Sequence, residues 1–155
     1  MSSKCVFCAI GRRAGSTPAL SPSESIASGE SAAEIVDETD ETVAFLDVRP
    51  LFPGHVLVVP RAHHVTLVDL PVPLLPKLFG AAQRVARAVE EAMGAQGTFV
   101  AMNNKVSQSV PHLHVHVVPR TKGDGLKGFF WPRHAYASDD ERRSVAERIR
   151  AAVRT

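Results

Sequence analysis

Apolar positions recur with a helical period in the middle of this chain. From residue 75 to residue 93 they return every three to four residues, which predicts one long amphipathic helix. Pro73 and Pro76 suit the first turn of such a helix, and Gly94 is placed to end it. The apolar face comprises Leu75, Leu78, Phe79, Ala82, Val85, Ala86, Val89 and Met93.

Shorter apolar runs elsewhere predict strands. They span residues 42–47, 55–60, 98–103 and 112–118, and turn residues separate the first two. A second helix is predicted near the C-terminus, where Ser138 and Glu141 form a capping box and Val145, Ile149 and Val153 share one face. This order of elements predicts an α+β fold in which an antiparallel sheet of about five strands packs against two main helices.

The composition fits one ordinary globular domain. The chain has 155 residues, of which 45% are apolar, so we expect a single domain over residues 1–155. Residues 14–33 are rich in serine and lack hydrophobic periodicity, which predicts a flexible surface insertion without a function of its own.

Charge and hydropathy narrow the class of partner. The 18 basic and 16 acidic residues nearly cancel, which argues against a nucleic-acid partner that needs a concentrated basic face. No apolar run approaches the roughly 20 residues of a membrane span, and the N-terminus has no signal-type apolar core. We therefore expect a soluble, cytoplasmic protein with no membrane partner.

The two cysteines indicate metal or redox chemistry. Cys5 and Cys8 have the Cys-x-x-Cys spacing of half a tetrahedral zinc site, and the same spacing occurs in redox pairs. The residues alone leave both readings open.

The segment from Val110 to Val118 concentrates the candidate chemistry. Its sequence is Val-Pro-His-Leu-His-Val-His-Val-Val, so on a strand His112, His114 and His116 share one face at spacings of about 6.6 Å. Leu113, Val115 and Val117 then point into the core. Neutral imidazole can act as ligand, base or nucleophile near pH 7, so this face predicts a functional site.

This pattern, preceded by Gln108-Ser-Val110, resembles the signature of the histidine triad (HIT) family of nucleotidyl hydrolases and transferases. The resemblance extends to Cys5-Val-Phe-Cys8-Ala-Ile10, Ala44-Phe-Leu-Asp47, Pro53-Gly-His55-Val-Leu-Val-Val-Pro-Arg61 and Pro119-Arg120 followed by Lys122-Gly-Asp-Gly125. The chain departs from the family pattern in the 14–33 insertion and in the short link Lys105-Val-Ser107, where Ser107 replaces a common glycine.

The resemblance implies a catalytic role for each triad histidine. His114 would attack the α-phosphorus of a nucleotide and form a nucleotidyl-histidine intermediate. His116 would donate to the phosphate oxygens, and His112 would lie beside the nucleophile.

The resemblance also implies a nucleotide site. Asp47 would accept hydrogen bonds from the ribose hydroxyls, although as a residue it could equally open the turn toward Pro50. The base would contact apolar residues that could equally be core, and the phosphate or leaving group would contact polar residues that could equally cap the strand. The apolar set is Val6, Phe7, Ile10 and Phe45, and the polar set is Asn104, Gln108 and Ser109.

For the metal, the resemblance implies a structural zinc held by Cys5, Cys8, His55 and His112. His63 and His64 offer spare ligands, but we expect them to be solvated surface histidines. Trp131 and His134 lie in a tail whose role no motif decides. The family also implies a homodimer.

Three hypotheses follow. The first is a hydrolase or transferase that acts on a purine nucleotide through His114, with phosphoramidates, aminoacyl-adenylates and dinucleoside polyphosphates as candidate substrates. The second is a metal-dependent hydrolase in which the three triad histidines hold a catalytic zinc. The third is a nucleotide-binding adaptor without turnover.

Overall fold

The computed structural model describes residues 5–13, 33–126 and 134–153. The elements are α1 (Val6–Arg13), β1 (Ile35–Glu38), β2 (Thr42–Leu46), β3 (Val56–Pro60), α2 (Leu75–Met93), β4 (Gly97–Ala101), β5 (Val115–Arg120) and α3 (Asp139–Val153). The chain forms two compact units, Met1–Lys122 and Gly123–Thr155. The predicted insertion at 14–33 lies outside the described residues except for Ala33, as does Trp131, and the single domain stays a prediction.

The first unit contains one five-stranded sheet in the order β1-β2-β3-β5-β4. Every neighbouring pair is antiparallel. Phe45, Leu57, His116 and Ala101 lie opposite one another in one row across β2, β3, β5 and β4. The sheet and the two long helices confirm the predicted α+β class.

The two faces of the sheet bury different groups. On one face Ala44, Val56 and Val58 join Val115 and Val117 in a core with α2. On the other face Val43, Phe45, Leu57 and Val59 pack with Cys5, Phe7 and Cys8. Because strand side chains alternate, β2 and β3 are buried on both sides, and α1 covers the face on which His116 lies.

The long helix confirms its sequence pattern. Leu78, Ala81, Ala82, Val85 and Val89 are buried along α2, and Gly94 ends the helix in a left-handed conformation with φ of 61°. Phe79 and Met93, at the edges of the predicted apolar face, are 42% and 46% exposed. The helix therefore buries a narrower stripe than the pattern suggested.

Two elements escaped the sequence pattern. The first, α1, carries Cys8 and is anchored beside the sheet by Arg61, which donates to the carbonyl oxygens of Gly11 and Thr39 and pairs with Glu38. The second is the edge strand β1. Each is too short, at eight and four residues, to show a period of its own.

The last strand begins later than predicted. β5 starts at Val115, not at His112, because the backbone N–H groups of His112 and Leu113 are turned to other partners. His112 donates to the carbonyl of Val110, and Leu113 donates to the carbonyl of His64. Residues 112 and 113 are therefore held by hydrogen bonds to loop residues instead of a strand partner. The loop that contains His64 also brings further side chains close to the triad histidines.

The second unit contains α3, which confirms the predicted C-terminal helix. The Glu141 N–H donates to Ser138 Oγ, and the Glu141 carboxylate accepts from the Ala137 N–H. None of the described side chains of α3 is buried, and Ile149 and Val153 are 59% and 80% exposed. Across the described ranges of both units, no helix is long and apolar enough to cross a membrane.

Candidate active site

The histidine segment alternates between two environments. Leu113, Val115 and Val117 are fully buried in the core against α2. His112 and His114 are buried on the opposite side, where the ring of Phe7 meets both of them edge-on at 5.9 and 5.4 Å. The period-two pattern thus brings the histidines to one face, although the regular strand covers only the last of them.

The first histidine lies against the cysteines. Sγ of Cys5 and Sγ of Cys8 are 3.4 and 3.5 Å from Nδ1 of His112, and Cys8 Sγ is 3.2 Å from Nδ1 of His63. The donor atoms of these four residues lie within 4.8 Å of one another. We call Cys5, Cys8, His63 and His112 the thiol cluster.

The protonation of His112 suits a ligand. Its Nε2 lies 2.8 Å from the carbonyl oxygen of Pro60, which can only accept, so Nε2 carries the proton and the Nδ1 lone pair faces the sulfurs. Burial lowers the pKa of His112 to about 4, so the ring is neutral at pH 7. Burial also raises the pKa of the Cys8 thiol, and a cation bound there would offset that cost of forming the thiolate.

The structure groups the predicted metal ligands differently from the expectation. His55 is not in the thiol cluster, and His63 occupies the place expected for it. The expectation that His63 is a solvated surface residue is therefore wrong. The loop after β3 returns alongside the histidine segment, through the bond from Leu113 N–H to His64 O, and so carries His63 to Cys8.

The second triad histidine is held by the first. His114 is 3% exposed, and its Nδ1 lies 2.7 Å from the carbonyl oxygen of His112. Because that oxygen accepts, Nδ1 carries the proton and the Nε2 lone pair of His114 is available for attack.

The third triad histidine belongs to a different group. Nδ1 of His116 is 3.0 Å from Nε2 of His55, and Nδ1 of His55 is 3.5 Å from Oδ2 of Asp47. Burial, reinforced by the rings of His114 and His55, lowers the pKa of His116 to about 4. Burial likewise lowers the pKa of His55. We call His55 and His116 the imidazole pair, since both rings are neutral at pH 7 and face each other.

The predicted ribose-binding residue also shapes the turn that follows β2. Oδ1 of Asp47 accepts from the Arg49 N–H at 2.8 Å, which is the local turn bond that aspartate favours. Oδ2 faces the imidazole pair. The turn role and a ligand-binding role for Asp47 therefore use different oxygens.

The predicted base-binding residues do not all lie together. Phe7, Ile10 and Phe45 pack in one cluster, with the rings of Phe7 and Phe45 5.4 Å apart. Val6 lies outside that cluster and is 53% exposed. An apolar wall of three residues thus adjoins His114.

The polar residues before the triad hold a loop in place. Gln108 donates to the carbonyl of Val65 and accepts from the Lys105 N–H, and Asn104 accepts from the Leu67 N–H. Ser109 is exposed. The acceptor oxygens of both amides are therefore used by backbone groups, which leaves the amide N–H donors of Asn104 and the second N–H of Gln108 for an anion.

The short link in this loop keeps a glycine-like backbone. Lys105 and Ser107 have φ values of 69° and 60°, the left-handed conformation that glycine adopts most easily. Ser107 therefore keeps the left-handed backbone conformation at a position where the family commonly has glycine.

The three triad histidines do not converge on one metal position. Among the described residues, His112 groups with the cysteines, His116 groups with Asp47 and His55, and His114 belongs to neither set of ligand atoms. The geometry therefore does not support the hypothesis of a catalytic zinc held by the triad itself.

Comparison with known proteins gives consistent relatives. A family model described as the HIT domain matches residues 28–123. An uncharacterized HIT-like protein of Mycobacterium tuberculosis is 34% identical over 96% of this chain and 92% of its own length. The bis(5'-nucleosyl)-tetraphosphatase of Schizosaccharomyces pombe is 34% identical over 59% of this chain and 51% of its own length. An Arabidopsis thaliana adenylylsulfatase is 27% identical over 97% and 70%.

Solved structures agree with these relatives. A HIT family member from Bacillus subtilis has a TM-score of 0.76 at 28% identity, over 96% of both chains. A zinc-bound histidine triad family protein from Mycobacterium smegmatis has a TM-score of 0.64 at 32% identity, over 96% of this chain and 97% of its own. With three alternating histidines on one face, a thiol cluster and these matches along most of its length, this chain belongs to the histidine triad (HIT) family.

Proposed function

We propose that this protein is a nucleotidyl hydrolase or transferase that cleaves purine nucleotide conjugates at the α-phosphate. The observation that carries the proposal is the 2.7 Å contact between Nδ1 of His114 and the carbonyl oxygen of His112. The Nδ1–H of His114 donates to the His112 carbonyl, so the Nε2 lone pair is directed away from the backbone as a nucleophile.

The reaction would proceed in two displacements. His114 Nε2 forms a bond to the α-phosphorus while the bond from phosphorus to the leaving group breaks, and the His112 carbonyl stabilises the positive charge that develops on the ring. Water or another acceptor then attacks the same phosphorus and releases His114. His116, 4.9 Å from His114 between ring centroids, would donate to the phosphoryl oxygens.

The nucleotide would lie along the face that α1 covers. Oδ2 of Asp47 would accept from the ribose hydroxyls, and Phe7, Ile10 and Phe45 would contact the base. The amide N–H donors of Asn104 and the second N–H of Gln108, with Ser109, would bind the phosphate or the leaving group. Relatives named as a nucleosyl-tetraphosphatase and an adenylylsulfatase support cleavage beside a nucleotide phosphate, with different leaving groups.

The thiol cluster fits a structural zinc. Ligand sulfur and nitrogen atoms around tetrahedral Zn²⁺ lie about 3.6 Å apart, and the sulfur–nitrogen distances here are 3.2 to 3.5 Å. Cys5, Cys8, His63 and His112 would fill all four positions. A metal bound there supplies a crosslink between α1, the loop after β3 and the triad, and no chemistry on the substrate.

The deciding experiment measures AMP release from adenosine phosphoramidate and from diadenosine tetraphosphate. We expect His114→Ala to lose roughly a thousandfold or more in kcat, because a nucleophile has no substitute in the chain. His134→Ala, an exposed histidine of the second unit, should keep wild-type rates. Quenching in alkaline denaturant, in which a phosphorus–nitrogen bond survives, should trap up to one nucleotidyl group on wild type and none on His114→Ala.

Other outcomes of the same experiment identify the alternatives. Nucleotide binding without release would favour the adaptor. Release that survives His114→Ala but stops on chelation would favour metal-dependent hydrolysis. The preferred substrate would define the leaving group.

The expected homodimer is part of the proposal. β4 lies at one edge of the sheet, and its Val100 is 46% exposed. An exposed edge strand with an apolar side chain favours pairing with a second copy. Sedimentation equilibrium should give twice the chain mass, and a monomer at all concentrations would reject this part.

A further inference from the structure

His55 is a buried histidine for which the reaction above has no step. It is 2% exposed and lies in the turn just before β3. Each of its two ring nitrogens has a neighbour: the backbone N–H of Leu51 is 3.2 Å from Nδ1, and Nδ1 of His116 is 3.0 Å from Nε2. The contact to His116 joins residues 61 positions apart, so only the fold creates it.

The backbone amide determines where the protons of both rings lie. An amide N–H can only donate, so Nδ1 of His55 must accept and its proton must sit on Nε2. That Nε2–H then donates to Nδ1 of His116. With its Nδ1 occupied as an acceptor, neutral His116 carries its own proton on Nε2.

Asp47 is the competing partner for Nδ1 of His55. A proton on that nitrogen would have to point at Oδ2 of Asp47, which is 3.5 Å away and at the limit of a hydrogen bond. The Leu51 amide is nearer, and turning its N–H toward a protonated nitrogen would bring two donors together. Burial keeps both rings neutral at pH 7, so one proton lies between them.

We propose that His55 is a positioning residue which, together with the Leu51 amide, holds His116 as the tautomer with its proton on Nε2. The assignment rests on the proposed function only for its effect on catalysis. It gives adjacent triad rings opposite tautomers: the His112 carbonyl leaves His114 with a lone pair on Nε2, and His55 leaves His116 with a proton there. One ring can then attack phosphorus while the other donates to its oxygens.

A nitrogen-15 NMR spectrum of the wild-type protein without nucleotide tests the tautomer directly. Long-range proton–nitrogen correlations distinguish the two ring tautomers of each histidine. We expect His55 and His116 to carry protons on Nε2, and His114 on Nδ1. A proton on Nδ1 of His116 would overturn the proposal whether or not the protein has the proposed activity.

Two variants of similar size test the consequence. In His55→Gln the side-chain oxygen can accept from Leu51 and the amide can donate to His116, whereas His55→Leu removes both bonds. We expect His55→Gln to stay within about threefold of wild type. His55→Leu should lose about 10- to 100-fold in kcat with little change in KM, part of what one transition-state donor contributes.

Comparing the two variants distinguishes a positioning role of His55 from a purely structural one. Equal losses in both variants, with the His116 tautomer unchanged, would contradict the proposal. The His55→Gln spectrum should still show the proton on Nε2 of His116, and a mixture of tautomers there would also contradict it. If wild type releases no AMP, the proposed function fails while the spectrum still decides the tautomer.

Discussion

Two groups of histidines lie on either side of His114, and they use the imidazole ring in opposite ways. In the thiol cluster, His112 and His63 present Nδ1 to sulfur, and His112 places no proton of its own on the side of the cysteines because its proton is on Nε2. In the imidazole pair, nitrogen faces nitrogen at 3.0 Å, a distance that requires a shared proton. The first group has ligand atoms that fit a cation, and the second has the geometry that we propose directs a proton.

Backbone groups decide this difference. The carbonyl of Pro60 draws the proton of His112 to Nε2, and the carbonyl of His112 draws that of His114 to Nδ1. The Leu51 amide leaves His55 protonated on Nε2. Burial lowers the pKa of His112 and of His55, and in each ring a nearby carbonyl or amide determines which nitrogen carries the proton.

Replacing one cysteine of the thiol cluster should produce the largest measurable difference between the two groups of histidines. We expect Cys8→Ser to lose bound zinc and at least about 3 kcal/mol in the free energy of unfolding, since structural zinc supplies on the order of 10 kcal/mol to domains that depend on it. Elemental analysis and urea denaturation measure the two quantities. His116→Asn, in the other group, should keep its zinc. Full zinc content in Cys8→Ser would remove the distinction between the groups.

Neighbouring histidines offer a sharper test of the ligand set. His63→Asn should weaken zinc binding by about 100-fold or more, because even residues that only support a ligand contribute 10- to 100-fold. His64→Asn and His55→Gln should bind zinc like wild type. Competition with a chromogenic chelator measures all three. Weakened binding in His55→Gln, with His63→Asn unaffected, would restore the ligand set expected from the sequence.

Lowering the pH should reduce the stability of the folded protein through the imidazole pair, and this effect should be smaller than the two above. The unfolded chain protonates His116 near pH 6.5, whereas the folded protein does so only near pH 4. The unfolded state therefore binds more protons in that window, and stability falls as pH is lowered through it. The loss between pH 6.5 and 5 should be no more than about 2 kcal/mol.

Urea denaturation across this pH range, in wild type and His116→Asn, isolates that contribution. Both proteins retain the thiol cluster, so its titration cancels in the difference. We expect the wild type to lose stability more steeply than the variant. Identical slopes would show that His116 is not a buried neutral ring in the folded protein.

Features encoded by neighbouring residues were predictable. The helical period from Leu75 to Met93 and the capping box at Ser138 each describe one element, and both elements form as expected. The alternation from His112 to Val117 placed leucine and valines in the core and histidines opposite them. The short α1 and β1 had no such period and were missed, although α1 brings Cys8 and Phe7 to the site.

The candidate residues could be identified from the sequence: three histidines in alternation, a Cys-x-x-Cys pair and an aspartate after a strand. They could be identified because side-chain period and residue type are local properties. How they are grouped depends on the fold, which carries His63 to Cys8 and His55 to His116 across 55 and 61 positions. Such contacts depend on where loops return and on which backbone group meets each ring, and no local pattern records either.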